Sequence, residues 1–354
     1  MTTTLRRRIG FELELMAPPG LSRRTLAEDL AARHGGRVHP VWHHDSEPSL
    51  VPGLGRFLHL TQGFAVRGAG GTPLATLVDD VTLTAGLDPR ATAPPGWYRV
   101  LSDDTRLLAL LAAHSDPAGP LETVLDPAAA LWGTTVERLG PACRLDAPGG
   151  ATIALAAPQG GERERPCEIV TPPLAAGHAQ ALEGLLAPAR DLGFTVPHEA
   201  AVHLHVDGAP FRHAPALANV VRLFAHWRAP LRALLATTPA CTRLAPLPAP
   251  LVHVTDGSPT FDDLRRAADK GGLTKFFDVN LTQLFRERPI RDTVEIRILP
   301  GAIRTEDIIN RAALVELLLD RCEDPAPLPR PPADPAAAAD ALLELAAAAL
   351  AARQ

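Results

Sequence analysis

One apolar stretch, residues 293–299, constrains the fold of this chain most because it carries two opposite charges. If it forms a strand, Glu295 and Arg297 lie on one face and only aliphatic residues lie on the other. Charged groups inside an apolar strand cost free energy unless they find partners. The stretch is therefore either an edge strand with a wet face or part of a polar site.

Three further segments share this alternation between apolar residues and residues that can bind a metal ion. Their polar members are Glu12 and Glu14 in the first segment, Glu168 in the second, and His203 and His205 in the third. Residues two apart on one face of a strand lie roughly 6.5–7 Å from each other. Strands of this kind, side by side, place carboxylates and imidazoles on one face of a sheet. Because hard divalent cations prefer such ligands, the pattern predicts a metal site.

The composition narrows the class of protein. A hydrophobic fraction of 46% in 354 residues supplies a substantial core for one large or two modest domains. The net charge of −5 provides no basic field that would favour nucleic acid or an anionic membrane. No apolar run of about 18 residues predicts a membrane span. The four cysteines are scattered without CxxC spacing, which suits a reducing, cytoplasmic location and argues against a disulfide framework or a thiolate zinc site.

Periodicity and turn signals predict a mixture of helices and strands. Helices are predicted at about residues 22–33, 104–114, 127–131, 177–192, 214–235, 261–268 and 305–320. Besides the four polar segments, strands are predicted at about residues 38–42, 57–61, 64–67, 75–83, 97–101, 152–156 and 275–284. The chain is therefore expected to belong to the α+β class.

Proline-rich segments divide this pattern. Residues 1–323 are predicted to form one domain, and residues 324–354 a proline-rich linker with an alanine-rich terminal helix. Within the domain, residues 239–259 form a long proline-rich loop. Loops of this length are usually lids, binding loops or disordered segments, and the sequence leaves these alternatives open.

The order of the polar motifs resembles that of the amidoligase family, within the glutamine-synthetase-like carboxylate–amine ligases. The resemblance covers scattered motifs between residue 9 and about residue 303, not a continuous match. The motifs are residues 11–14, residues 168–174, His203-Leu204-His205, Asn280 within residues 277–281, and Glu295-Ile296-Arg297. The resemblance implies a curved, mainly antiparallel sheet. Its polar concave face would hold metals and ATP, and helices would pack on its apolar face.

The resemblance also implies a role for each matched residue. The metal ligands would be Glu12, Glu14, Glu168, His203 and Glu295. His205 would contact the ATP phosphates, Arg297 the transferring phosphoryl group, and Asn280 the substrate or nucleotide. One position departs from glutamine synthetase: the glutamate eight residues after the one matched by Glu168 is Ala176 here. One metal site would therefore be incomplete or completed by water, which Mg²⁺ tolerates.

The chemistry of amide formation explains these residue types independently. Joining a carboxylate to an amine in water is uphill, so the carboxylate must first be activated, for example as an acyl phosphate. Divalent cations, Mg²⁺ or Mn²⁺, neutralise the ATP phosphates, and an arginine stabilises charge on the moving phosphoryl group. The expected function is an ATP-dependent carboxylate–amine ligase, with Glu295 and Arg297 as catalytic residues. Its partners would be small-molecule or peptide substrates, with no nucleic acid and no membrane.

Other interpretations stay open at this stage. A metal-dependent hydrolase also suits a His-x-His motif with carboxylates, although Arg297 favours the ligase. A non-catalytic relative could keep the sheet and bind nucleotide or a partner. Each residue also has a structural explanation, as a wet strand face, a buried histidine, an ion pair or, for Asn280, a turn residue. Lys275 and the arginines at positions 286, 288 and 291 could bind phosphate, although the sequence favours a charged surface loop.

Overall fold

Antiparallel strand pairs and helices make up the residues that the computed structural model describes, 4–51, 55–241 and 244–353. The predicted α+β class is confirmed, whereas the curved sheet with a concave polar face stays a prediction. The chain divides into two units. The first comprises Met1–Leu13, Thr171–Leu186 and His198–Gln354, and the second comprises Glu14–Val170 and Ala187–Pro197.

The elements follow one another along the chain as two series. The strands are β1 (Ile9–Met16), β2 (Arg37–Val51), β3 (Gly55–Arg67), β4 (Pro73–Val78), β5 (Tyr98–Ser102), β6 (Glu137–Leu139), β7 (Ala142–Asp146), β8 (Ile153–Pro158), β9 (Pro166–Val170), β10 (Ala201–Asp207), β11 (Val279–Asn280) and β12 (Thr293–Pro300). The helices are α1 (Arg23–Arg33), α2 (Thr105–His114), α3 (Asp126–Trp132), α4 (His178–Asp191), α5 (Ala214–His226), α6 (Arg228–Leu235), α7 (Ala249–Val254), α8 (Phe261–Lys270), α9 (Thr305–Glu323) and α10 (Pro335–Ala352).

In the first unit, strands pair in the order β11–β12–β10–β1. The register aligns Phe11, Leu204, Ile296 and Val279 across these strands, and all four side chains are fully buried. Helix α6 contacts β12 and α10, and α9 contacts α5 and α10. Because side chains alternate along a strand, the neighbouring residue on each strand points to the opposite face. That opposite face carries the polar residues.

In the second unit, strands pair in the order β9–β4–β3–β5–β8–β7–β6, and β2 pairs with β3. Leu60 and Val100 lie opposite each other on β3 and β5 and pack with Leu108 and Leu111 of α2. Helix α1 contacts β2, β3 and β4. The helices of this unit therefore cover the apolar side of its strands.

The strand predictions were wrong at three places. Two strands were predicted where β3 is continuous, because Gln62 and Gly63 keep their pairing with β2. The predicted strand at 275–284 reduces to β11, because the Asn280 side chain accepts a hydrogen bond from the Thr282 amide at 3.0 Å and begins a turn. The hairpin of β6 and β7 was missed, and all residues of β6 are exposed.

The helix predictions succeeded where a cap was visible. The helix predicted from about residue 22 is α1, and the Ser22 hydroxyl caps it by accepting from the Thr25 amide at 3.3 Å. The predicted helix over 214–235 was wrong at its centre, where α5 ends and α6 begins around Trp227. Pro230 accounts for the break, since it has no amide proton and its ring clashes with the carbonyl four residues earlier. The predicted loop at 239–259 contains the short helix α7.

The alanine-rich terminal helix is present as α10, which packs against α6 and α9 in the first unit. Among the described residues it is the one helix long and apolar enough to cross a membrane, judged by length and composition. About a fifth of its 18 residues (22%) are buried. A single helix of this kind is weak evidence for a membrane span.

A buried carboxylate on α9 ties the two ends of the chain together. Glu316 is 1% exposed and accepts hydrogen bonds from the backbone amides of Arg6 and Arg7, each at 2.9 Å. Its other oxygen lies 2.8 Å from the Arg353 guanidinium just beyond α10. Glu316 therefore fixes the segment that leads into β1, the strand that carries Glu12.

We predict that Glu316→Ala lowers the free energy of unfolding by about 2–5 kcal/mol, because two backbone amides lose their buried acceptor, at about 1–3 kcal/mol each, and Arg353 keeps only its ion pair with Asp320. The matched control is Glu306→Ala on the same helix, where the side chain is exposed and a change within about 0.5 kcal/mol is expected. Urea unfolding of both variants measures the difference. Equal values for the two would remove Glu316 as an anchor.

Candidate functional site

Strand register brings the polar residues of the first unit together. Glu12 on β1 lies opposite His203 on β10, and His205 lies opposite Glu295 on β12. Asn280 on β11 lies opposite Glu295 from the other side. Cross-strand partners have Cβ atoms roughly 4.5–5.5 Å apart, close enough for direct contact. Five predicted site residues thus share one face of four adjacent strands.

The Glu12 carboxylate makes contacts with both histidines. One oxygen, Oε2, lies 3.2 Å from His203 Nδ1, and the other, Oε1, lies 3.0 Å from His205 Nε2. Arg291, just before β12, donates from Nη1 to the same Oε1 at 3.1 Å. Glu12 is mostly buried, so these contacts replace the water that an exposed carboxylate would have.

The Glu295 carboxylate is held from two other directions. Asn280 Nδ2 donates to its Oε2 at 2.7 Å, and Arg297 forms an ion pair with its Oε1. His203 Nδ1 lies 3.8 Å from the same Oε1. His203 and His205, both on β10, therefore lie between Glu12 of β1 and Glu295 of β12.

A bulge aims Arg297 at this cluster. Leu204 pairs with Ile296 but Val202 pairs with Leu299, so β12 has one residue more than β10 in this interval. Arg297 lies in the bulge, where its backbone amide donates to the Asp278 carbonyl at 3.1 Å. Bulges commonly redirect a side chain beside an active site.

The charges of the cluster determine its protonation. Burial disfavours ionised Glu12, yet the charge on His205 and a hydrogen bond to His203 hold the pKa of Glu12 well below its ordinary value. Burial likewise opposes ionisation of Glu295, and Arg297 and the histidines lower its pKa. For His205, burial favours the neutral imidazole, but Glu12 and Glu295 raise the pKa. Two ionised carboxylates are therefore present at neutral pH.

This donor set fits a hard divalent cation. Ligand atoms of Glu12, His205 and Glu295 all lie within 4.8 Å of one another. Two carboxylates with one imidazole and water suit Mg²⁺ or Mn²⁺, whereas Cys-rich zinc ligation is excluded by the residue types. The histidines and arginines that now contact Glu12 and Glu295 would have to give up some of these contacts to the metal.

The other two predicted ligands belong to the second unit. Glu14 is a buried residue of β1, and the second unit begins at this residue. Glu168 is half-buried on β9 and lies opposite Val78 of β4. Their roles as metal ligands stay predictions, and so do the roles of Glu12, His203, Glu295 and Asn280.

Arg291 was ranked too low as a site residue, because the sequence favoured a charged surface loop over a phosphate contact. Its side chain is 57% exposed, which agrees with a surface loop, yet its guanidinium reaches Glu12. Thr293 was missed, and its hydroxyl lies 3.3 Å from His205 Nδ1. The only available signal was the position of both residues immediately before Glu295 in the sequence.

Comparison with known proteins identifies one family for this chain. A family model described as "Putative amidoligase enzyme" matches residues 5–319 of the chain. The matched range contains every residue of the cluster. None of the curated proteins matches the chain.

We predict that Glu12→Gln weakens binding of Mn²⁺ or Mg²⁺ by at least about 10-fold, because it removes a charged ligand while keeping the side-chain shape. Isothermal titration of the purified full chain measures this. The matched control is Glu28→Gln on the exposed side of α1, which should bind metal as the wild type does. Unchanged affinity in Glu12→Gln would exclude Glu12 as a ligand.

Proposed function

The chain belongs to the amidoligase family, and we propose on that premise that it is an ATP- and Mg²⁺-dependent ligase. It joins a carboxylate to an amine, and the carboxylate is activated as an acyl phosphate. The observation that carries the proposal is the convergence of Glu12, His203, His205 and Glu295 with Arg297 on one sheet face. Carboxylates supply metal ligands and the guanidinium supplies a phosphate contact, which are the two requirements of phosphoryl transfer.

Glu12 and Glu295 would hold the cation, with His203, Glu14 and Glu168 as further predicted ligands. His205 also lies within 4.8 Å of both carboxylates, but its raised pKa favours a charged imidazole that cannot bind a metal, so it is assigned to the phosphates. When bound, Mg²⁺ or Mn²⁺ supplies positive charge that neutralises the phosphates of ATP. The lowered pKa values of Glu12 and Glu295 support this role, because both carboxylates stay ionised and ready to bind at neutral pH. No proton then has to leave a carboxylate when the cation arrives.

Arg297 would stabilise the phosphoryl group as it leaves ATP. Its planar fork can bind two phosphate oxygens, and it keeps its charge throughout the reaction. The ion pair with Glu295 and the backbone bond at the bulge hold Arg297 beside the cluster. A residue positioned in advance loses little freedom on reaching the transition state.

Asn280 and His205 have supporting roles in this scheme. Both ends of the Asn280 amide are engaged, with Nδ2 on Glu295 and Oδ1 on the Thr282 amide. This supports a role in orienting Glu295, and a contact with the substrate or nucleotide remains part of the proposal. His205 would contact the ATP phosphates, and its raised pKa favours the charged imidazole that an anion attracts.

The substrates would be a small-molecule or peptide carboxylate and an amine. We propose neither a nucleic-acid partner nor a membrane surface, and we place the reaction in the cytoplasm. The net charge of −5 and the absence of paired CxxC cysteines in the sequence support these choices.

The function is tested by phosphate release from ATP with a panel of carboxylates and amines. We expect release only when a carboxylate, an amine and a divalent cation are all present. Hydrolysis of an amide or ester without ATP would identify a metal-dependent hydrolase instead. Stabilisation by Mg²⁺ and ATP without turnover on any pair would identify a non-catalytic nucleotide-binding relative.

We predict that Arg297→Lys folds and binds Mg²⁺-ATP but loses about 10²–10³-fold in turnover, roughly 3–4 kcal/mol of transition-state stabilisation. Lysine keeps one charge but lacks the bidentate fork. The control is Arg304→Lys, an exposed arginine after β12, which should keep full turnover. Turnover and melting temperature are measured on the same preparations. Full activity in Arg297→Lys would remove this arginine from the mechanism, and a collapsed melting temperature would make its role structural.

A further inference from the structure

A second polar row crosses strands of the second unit, on the face opposite its helices. Leu60 and Val100 pair with each other and pack in the core with α2. Because side chains alternate, the next pair along the same strands, Thr61 and Arg99, points to the other face. The strands on either side add His43 next to Thr61 and Ala157 next to Arg99. None of the residues in this row was assigned a role from the sequence.

The polar atoms at the centre of this row lack partners. Thr61 is fully buried, and among the residues that the structure describes its Oγ1 has no hydrogen-bond partner. Arg99 is half-buried, with a buried Nε, and within the same described residues its guanidinium makes no hydrogen bond or ion pair. Buried donors without partners are rare in folded proteins, because each costs about 1–3 kcal/mol.

The surrounding charges do not neutralise Arg99. Asp79 is the acid whose charge raises the pKa of Arg99, and both of its oxygens already have partners. Arg163 pairs with Asp79 Oδ1, and Gln159 Nε2 donates to Oδ2 at 2.8 Å. Burial lowers the pKa of Arg99, Asp79 raises it, and repulsion from Arg163 lowers it further. Asp79 therefore has no oxygen left for Arg99, which forms no ion pair with any residue that the structure describes.

Another buried arginine of this unit shows how the same fold treats a structural guanidinium. Arg23 is 0% exposed, and it donates to the backbone carbonyls of Gln62, Arg163 and Pro166. It also lies over the Trp97 ring at 4.5 Å. Arg23 is thus fully satisfied by the protein itself, whereas Arg99 is not. The contrast indicates that the Arg99 guanidinium is available to bind a ligand.

We propose that Arg99 and the Thr61 hydroxyl form an anion-binding site on this face, which takes the carboxylate or phosphate group of a small molecule. The guanidinium fork matches two oxygens of either group, and the hydroxyl beside it supplies one further donor. On the other side of Arg99, its cross-strand neighbour Ala157 carries no polar side chain. The assignment of this anion to a ligase substrate rests on the proposed function, whereas the site itself does not.

The test is binding of inorganic phosphate and of acetate to the full chain at constant ionic strength, with chloride as the balancing salt. At saturating ligand we expect the melting temperature of the wild type to rise by about 2–4 °C or more. Arg99→Ala should lose this shift, and Thr61→Val should weaken the binding by about 5–10-fold. The control is Arg37→Ala, an exposed arginine on β2, which should respond as the wild type does.

Phosphate alone giving the shift would assign the site to a phosphoryl group, and acetate alone would assign it to a carboxylate. No response of the wild type to either anion, or the same response in Arg99→Ala, would overturn the proposal. The melting temperature without ligand is a second readout. Removal of an unpaired charge should leave it unchanged or raised, whereas a structural arginine would lower it. None of these measurements needs turnover, so absent ligase activity would defeat the proposed function and leave this site standing.

Discussion

The pairing of β10 with its two neighbours is the constraint on which the site depends. Its register sets His203 against Glu12 and His205 against Glu295, and a slip by one residue would turn every one of these side chains to the other face. The apolar row through Leu204 prevents that slip, because it would move fully buried side chains into the polar face. Core packing and site geometry are therefore fixed by the same hydrogen-bond ladder.

The electrostatic design of the site follows from this register. Carboxylates brought close together repel, and a cluster of glutamates alone would resist folding until a cation arrived. Here each glutamate has a cationic partner from the chain, Arg291 for Glu12 and Arg297 for Glu295. The cluster can thus form without a ligand, and in the proposed function a metal ion would have to compete with side chains that already neutralise the two carboxylates. Such competition moderates affinity while it keeps both carboxylates ionised.

The alternation of polar and apolar residues was enough to predict which face of β1, β10 and β12 carries the polar side chains. It could not predict the register, because pairing between strands far apart in sequence leaves no local pattern. The contact of Arg291 with Glu12 was not predictable for a related reason: a long side chain on a loop reaches its partner by its own length, which leaves no periodic pattern in the sequence. The break at Pro230 was predictable from proline chemistry, whereas the continuity of β3 through Gly63 depends on its partner strand. Local sequence chemistry predicts the helices and strands, whereas pairing between distant segments determines the strand register.

Arginine is used in three physically different ways in this chain, in which all but two of the 35 basic residues are arginine. Arg23 is buried against carbonyls and an aromatic ring, Arg297 is paired with a carboxylate, and Arg99 has no partner within the described part of the chain. Lysine could fill none of these positions equally, because it lacks the planar fork that contacts several oxygens at once. Burial of the Arg99 guanidinium costs free energy that no contact among the described residues offsets. A bound anion would recover it, which makes ligand binding the simplest physical reason for that arginine.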